Sequence, residues 1–209
     1  MDLDVATLQQ TFSERQLDAL RELANIGCGH AATALSKLLG APKMGIDIPK
    51  ARVAELAEVA LLVGGDRRPV VAVSTEVSGG LRGRLCLLMP LADAQCLAGL
   101  LLGEAAPTGA LAEVERSAVT EAGNIVGAAC LTALARAMGL HLMPSVPRYC
   151  EGTTAEVLRE VVTLIPELGD RAIVLETRFA SVGLPEISGH FFILPEMPSL
   201  PRMLQALGV

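Results

Sequence analysis

The chain writes one segment twice. "ELANIGCGHAATAL", Glu22 to Leu35, returns as "EAGNIVGAACLTAL", Glu121 to Leu134. Asn25-Ile26 matches Asn124-Ile125, Thr33-Ala34-Leu35 matches Thr132-Ala133-Leu134, and Gly40 matches Gly139. An internal repeat restricts a fold strongly, because one structural unit must serve both copies and the copies stack to share a core. The likeness runs on. "IDIPKARV" and "PSVPRYC" each set a Pro and a base in an extended-looking stretch. "GRLCLLMP", ending at Pro90, answers "GHFFILP", ending at Pro195, and Leu102-Gly103 and Leu207-Gly208 follow those prolines at equal distance. The reading is a single domain over 1–209, with pseudo-repeats 13–103 and 113–208 and a Pro/Gly linker at 104–112.

Within a copy, periodicity predicts the elements. Leu17, Leu20, Ala24, Cys28, Ala31 and Leu35 recur at three and four, the stripe of an amphipathic helix over about 14–39. Ser13 and Gln16 can form its capping box. A strand over 46–53 and a short helix over 55–63 follow. "PVVAVSTEV" and "LRGRLCLLM" read as strands joined at Gly79-Gly80, and 91–102 as a helix. The second copy predicts helix 113–138, strand 142–149, short helix 155–163, strands 171–181 and 187–194, and helix 199–207. Three strands are marginal alone. The predicted fold is therefore α/β of the α+β type: two helix-strand-strand-strand-helix copies related by a pseudo-twofold. They share one continuous, mainly antiparallel six-stranded sheet with the two long helices packed on it.

Composition removes several functions. At 51% hydrophobic and 19% charged, the 209 residues can bury a core. A net charge of -6 without a basic run argues against nucleic acid and against docking to anionic lipid. With 2% aromatic residues and no Trp, base-stacking platforms are absent. The greasiest stretch, "LCLLMPLADAQCLAGLLLG", is too broken by Pro90, Asp93 and Gln95 to insert in a membrane, and the N-terminus lacks a signal pattern. The expected location is the cytoplasm. Five scattered cysteines without Cys-x-x-Cys read as reduced and mostly buried, and no His spacing suggests a metal.

The chemistry lies on the other face of the long helices. Asp18, Glu22 and Asn25 stand at i, i+4 and i+7, as do Ser117, Glu121 and Asn124. At roughly 100° per residue each trio shares one face, roughly 130° from the apolar stripe. A solvated face would explain charged residues. It does not explain a poor helix former, Asn, held in register twice while Arg21 becomes Thr120 and Leu23 becomes Ala122. Asn cannot act as a base. Its amide can hold a water in line or donate to an anionic oxygen, which suits phosphoryl hydrolysis through a loose transition state. A Glu beside phosphate is repelled unless it meets a cation, so it fits docking of a partner's Lys or Arg.

The pattern Asp/Ser-x3-Glu-x2-Asn, then a gap of about 22 residues and Pro, is met by Ser117, Glu121, Asn124 and Pro147 with 22 intervening residues. Asp18, Glu22, Asn25 and Pro49 meet it with 23. Over nearly its whole length the chain resembles the CheC group of the CheC/CheX/FliY chemotaxis phosphatases. The resemblance implies hydrolysis of the aspartyl-phosphate of the response regulator CheY. In that family the Asn orients the water, the Glu contacts the regulator's lysine, and Mg²⁺ belongs to CheY. It implies no cofactor or metal of the chain's own, and CheD as a further partner of some members.

Three other readings stand beside this one. A CheC-like adaptor would dock a response regulator or CheD without hydrolysis, and a related phosphatase would serve a regulator outside chemotaxis. "GCGHAA", Gly27 to Ala32, matches a dinucleotide fingerprint but lies inside a helix, where its small residues suit close packing instead.

Overall fold

A computed structural model describes residues 12–40, 44–163, 171–181 and 185–209. Helix α1 spans Glu14–Leu38. Its capping box is formed: the Gln16 amide donates to Ser13 Oγ at 3.3 Å and the Ser13 amide donates to Gln16 Oε1 at 3.0 Å. Glu14 in the first turn and Lys37 in the last complement the helix dipole. The buried face carries Leu20, Leu23, Ala24, Cys28, Ala31 and Leu35. Helix α4, Glu113–Met138, begins with half of such a box, because Ala112 has no side-chain oxygen: the Ala112 amide donates to Glu115 Oε2 at 2.6 Å. Gly139, left-handed at φ 63°, ends it, as a helix C-terminus prefers.

Between and after these helices lie β1 (Met44–Glu55), α2 (Leu56–Leu62), β2 (Pro69–Gly79), β3 (Gly83–Pro90) and α3 (Leu91–Leu102), then β4 (Leu142–Pro144), β5 (Arg148–Thr153), α5 (Thr154–Thr163), β6 (Arg171–Ser181), β7 (Ile187–Pro195) and α6 (Ser199–Ala206). The element order after α4 repeats that after α1. All strands pair antiparallel in one sheet, ordered β1-β6-β7-β3-β2-β4, with β5 also on β2. The copies interlock. The edge strand of the first copy, β1, rests on β6 of the second, and β4 and β5 of the second rest on β2 of the first.

The sheet has seven strands where six were expected. The extra one arises because the strand predicted over 142–149 is broken between Pro144 and Arg148. Four steps along the edge, 144 to 148, face three along β2, 77 to 74, so the edge carries one extra residue. The opposite edge does the same: three steps from Asp47 to Lys50 face two from Arg178 to Glu176. Each extra residue falls at a motif proline, Pro147 or Pro49. Proline has no amide hydrogen for a ladder, and edge strands and bulges are where a sheet accepts it.

Side chains alternate between two cores, as a pleated strand requires. Val71, Val73, Leu85, Leu87 and Phe191 face α1, α3, α4 and α6. Val70, Ala72, Cys86, Leu88 and Phe192 face Val59 of α2, Val63 just after it, and Val157 and Val161 of α5. Both faces of the sheet are thus covered, and the short helices form a layer that the expectation of two packed helices omitted. Helix α4 is long and apolar enough to cross a membrane by length and composition, but half of its most apolar window is buried inside the protein. It is the core helix of this fold. Cys28, Cys86, Cys130 and Cys150 are buried free thiols, as expected, and Cys96 is half-buried.

Candidate functional site

Two glycines let α4 and α1 lie close to their neighbours. A Cβ on Gly123 would stand 2.7 Å from both Cβ and Cγ1 of Val73, so α4 touches β2 one residue before Asn124. A Cβ on Gly27 would stand 2.8 Å from Cys130 Sγ and 3.0 Å from Leu134 Cδ2, so α1 meets α4 two residues after Asn25. Gly27 of "GCGHAA" therefore serves helix packing, and Cys28, Ala31 and Ala32 are buried, whereas Gly29 is exposed. With the apolar stripes seated inward, the opposite faces turn outward. Asp18, Glu22, Asn25, Ser117 and Glu121 are exposed, and Asn124 is half-buried.

Among the described residues, the Asn25 and Asn124 amides make no hydrogen bond and the Glu22 and Glu121 carboxylates no ion pair. An Asn retained for the fold would use its amide on a neighbouring backbone group. Neither amide does so among the described residues. Asn124 lines a small cavity with Ser74, Thr75, Gly123, Gly127 and Pro144. Glu121 lines an open groove of about 460 Å³ with Glu113, Arg116, Ser117, Thr120 and Tyr149. Neither of these two cavities includes Asp18, Glu22 or Asn25.

The two copies differ around the shared trio. In the first, Arg21 Nη1 donates to Asp18 Oδ1 at 2.7 Å, an exposed pair worth little to stability. In the second, Thr120 stands where the first copy has Arg21, and its hydroxyl donates to the Arg116 carbonyl at 2.6 Å. Arg116 is itself turned to the Leu111 carbonyl at 2.8 Å. Tyr149 donates to Glu151 Oε2 at 2.6 Å. Burial, then that hydrogen bond and the carboxylate's charge, push the phenol above its usual range.

Both motif prolines fall at the edge bulges. In the second copy the bulge is pinned: Thr75 Oγ1 donates to the Ser145 carbonyl at 2.8 Å, the Ser145 amide to the Glu76 carbonyl at 2.9 Å, and the Glu76 amide to Ser145 Oγ at 3.0 Å. Pro147 is half-buried. Pro49 lies in β1 at the matching irregularity. Sequence reasoning missed Thr75, Ser145 and Tyr149. Nothing in the repeat marks them, since they act through sheet pairing that brings distant segments together.

The interlocked α/β fold thus presents, on two helices, the same carboxylate and the same amide. Residues 16–48 and 114–149 match the CheC-like family. Over 203 residues the chain is 33% identical to the CheY-P phosphatase CheC of Bacillus subtilis, covering 94% of this chain and 96% of that one. The crystal structure of Thermotoga maritima FliY superposes with a TM-score of 0.75 at 24% identity, over 95% of this chain and 98% of that one. A chain of the CheX–CheY–BeF3–Mg complex of Borrelia burgdorferi superposes at 0.53 and 17% identity, over 82% of this chain and 96% of that one. The chain belongs to the CheC-like family. The two structural matches carry the fold alone, so any activity has to be argued from the site.

Proposed function

We propose that this protein is a chemotaxis phosphatase that hydrolyses the aspartyl-phosphate of a CheY-type response regulator. The observation that carries the reading is that both amides lack a hydrogen bond and both carboxylates an ion pair among the described residues, with Glu22, Asn25 and Glu121 exposed and Asn124 half-buried, in a chain one-third identical to a CheY-P phosphatase. Glu22 or Glu121 meets the lysine of the regulator. Asn25 or Asn124 then enters the regulator's phosphorylated site, its carbonyl accepting a hydrogen bond from a water. The water oxygen attacks phosphorus in line with the phosphorus–oxygen bond to the aspartate. That bond breaks, its electron pair stays on the aspartyl carboxylate, and the water's proton goes to the phosphate released. Neither residue exchanges a proton. Positioning and charge do the catalysis, as suits a loose transition state. The magnesium is the substrate's, and the chain supplies no cofactor.

Asp18 and Ser117 sit one turn before the glutamates, and the prolines Pro49 and Pro147 mark the two edge bulges. An adaptor that docks the regulator or CheD without hydrolysis would show the same glutamates but would have no use for two unengaged asparagines. The test is direct. Phosphorylated CheY-type regulator with Mg²⁺ is mixed with the protein and phosphate release is followed. The proposal expects release faster than from the regulator alone, and an unchanged rate with demonstrable binding would select the adaptor.

A further inference from the structure

The catalytic trios leave one repeated feature without a task. In both copies the motif proline is preceded by a branched aliphatic residue, Ile48-Pro49 and Val146-Pro147. Both pairs fall in the edge bulges, between Asp47 and Lys50 in one strand and between Pro144 and Arg148 in the other. Val146 is 84% exposed, more than any other large apolar side chain among the described residues. A single exposed valine means nothing by itself. This one is held out by a built support. Ser145 beside it is fixed by three hydrogen bonds to Thr75 and Glu76, and Thr75 and Pro144 line the same cavity as Asn124.

A β-branched residue before proline favours extended backbone, and that could explain the branch. It does not explain the absence of a hydroxyl, since threonine would serve the backbone equally well and would suit water better. We propose that Val146 is an apolar docking contact that seats the phosphorylated regulator while the neighbouring Asn124 reaches its phosphoryl group. The proposal rests on the phosphatase reading above. It commits to one occupant, an apolar patch of the regulator bordering its phosphorylation site. The ground is continuity: the surface that must close over Asn124 to exclude bulk water extends to the pinned bulge beside it. The valine is a positioning residue, and it touches no reacting atom.

The test isolates the second site by Asn25→Ala with Glu22→Lys, which removes both chemistry and docking at the first, and adds Val146→Thr, Val146→Asp or Val146→Ile. Threonine keeps the backbone preference and the shape and loses only apolar surface. Val146→Thr and Val146→Asp are expected to raise KM about tenfold or more, the loss of burying one valine side chain, with kcat and melting temperature unchanged. Binding of the beryllofluoride-loaded regulator should weaken by the same factor, and Val146→Ile should restore both. Unchanged KM in Val146→Asp overturns the proposal. So does a fall in kcat alone, or a melting temperature lowered by Val146→Asp, which would assign the valine to the fold. The parent reading fails separately: it falls if Asn25→Ala/Asn124→Ala retains phosphatase activity, whatever Val146 does.

Discussion

Gly123→Ala changes one methyl group at the residue before Asn124, and the structure fixes what that methyl meets. Its carbon would lie 2.7 Å from Val73 Cβ, 2.7 Å from Cγ1 and 2.9 Å from Cγ2. Favourable carbon contacts lie at about 3.5–4.0 Å, so α4 would have to lift from β2 by about 1 Å. Val73 is branched and only 5% exposed, with no room to swing aside. Against this, alanine gains about 1 kcal/mol of helix propensity over glycine. Overpacking a core costs about 1–3 kcal/mol, so the net loss reaches about 2 kcal/mol. A chain this long should then melt up to about 8 °C lower. Gly29→Ala is the control. It is a helical glycine on α1 with nothing within 4 Å of its added carbon, and the second copy already has Ala128 there. It should raise the melting temperature by about 2–4 °C. Lifting α4 also displaces Asn124, so in an Asn25→Ala background Gly123→Ala should lower kcat. A Gly123→Ala protein as stable as Gly29→Ala, with second-site turnover intact, would refute the close approach of α4 to β2 and the positioning of Asn124 built on it.

Other outcomes follow from the packing and the thiols. Gly27→Ala should destabilise, and Cys130→Ala should relieve part of that loss, with a coupling of about 0.5–3 kcal/mol in a double-mutant cycle by urea unfolding. Ser13→Ala removes the side-chain half of the α1 cap and should cost about 1 kcal/mol, read as a small fall in melting temperature. Burial pushes the Cys28 thiol from 9.0 up to about 12 and Cys150 up to about 11. Between those values the unfolded chain has released protons that the folded one keeps, so stability is full below pH 9 and falls as pH rises above it. Each such thiol contributes about 1.4 kcal/mol per pH unit, and Cys28→Ala should flatten that slope in urea titrations at successive pH.

The sequence shows most of the elements because their signals are local. Ser13 with Gln16, the three-and-four spacing through Leu35, and Gly139 after Met138 each act within a few residues. The helix boundaries at 91–102 and 113–138 follow the structure. The repeat also predicts one shared antiparallel sheet. What it does not predict is which copy's strand lies on which. The interlock of β1 on β6 and of β5 on β2 depends on contacts between residues more than seventy positions apart, and neither strand marks its partner. The break between Pro144 and Arg148 shows the same limit. Proline marks an edge or a bulge, but the extra residue is seen only when β2 is laid beside it. The site splits in the same way. Helical spacing places Asp18, Glu22 and Asn25 on one outward face. Nothing local distinguishes exposed Asn25 from half-buried Asn124, whose cavity is closed by Thr75 and Pro144 from other strands. The Arg21–Asp18 pair was open to inference from its spacing of three, a regular helix contact.

The account stands on the two asparagines acting on water and not as docking groups. Binding of the beryllofluoride-loaded regulator and phosphate release from the phosphorylated one, measured on the same Asn25→Ala/Asn124→Ala protein, separate those roles. The account predicts a folded protein that still binds the regulator through Glu22 and Glu121, while phosphate release falls to the rate of the regulator alone. Release that stays at the unsubstituted rate in that protein would contradict it.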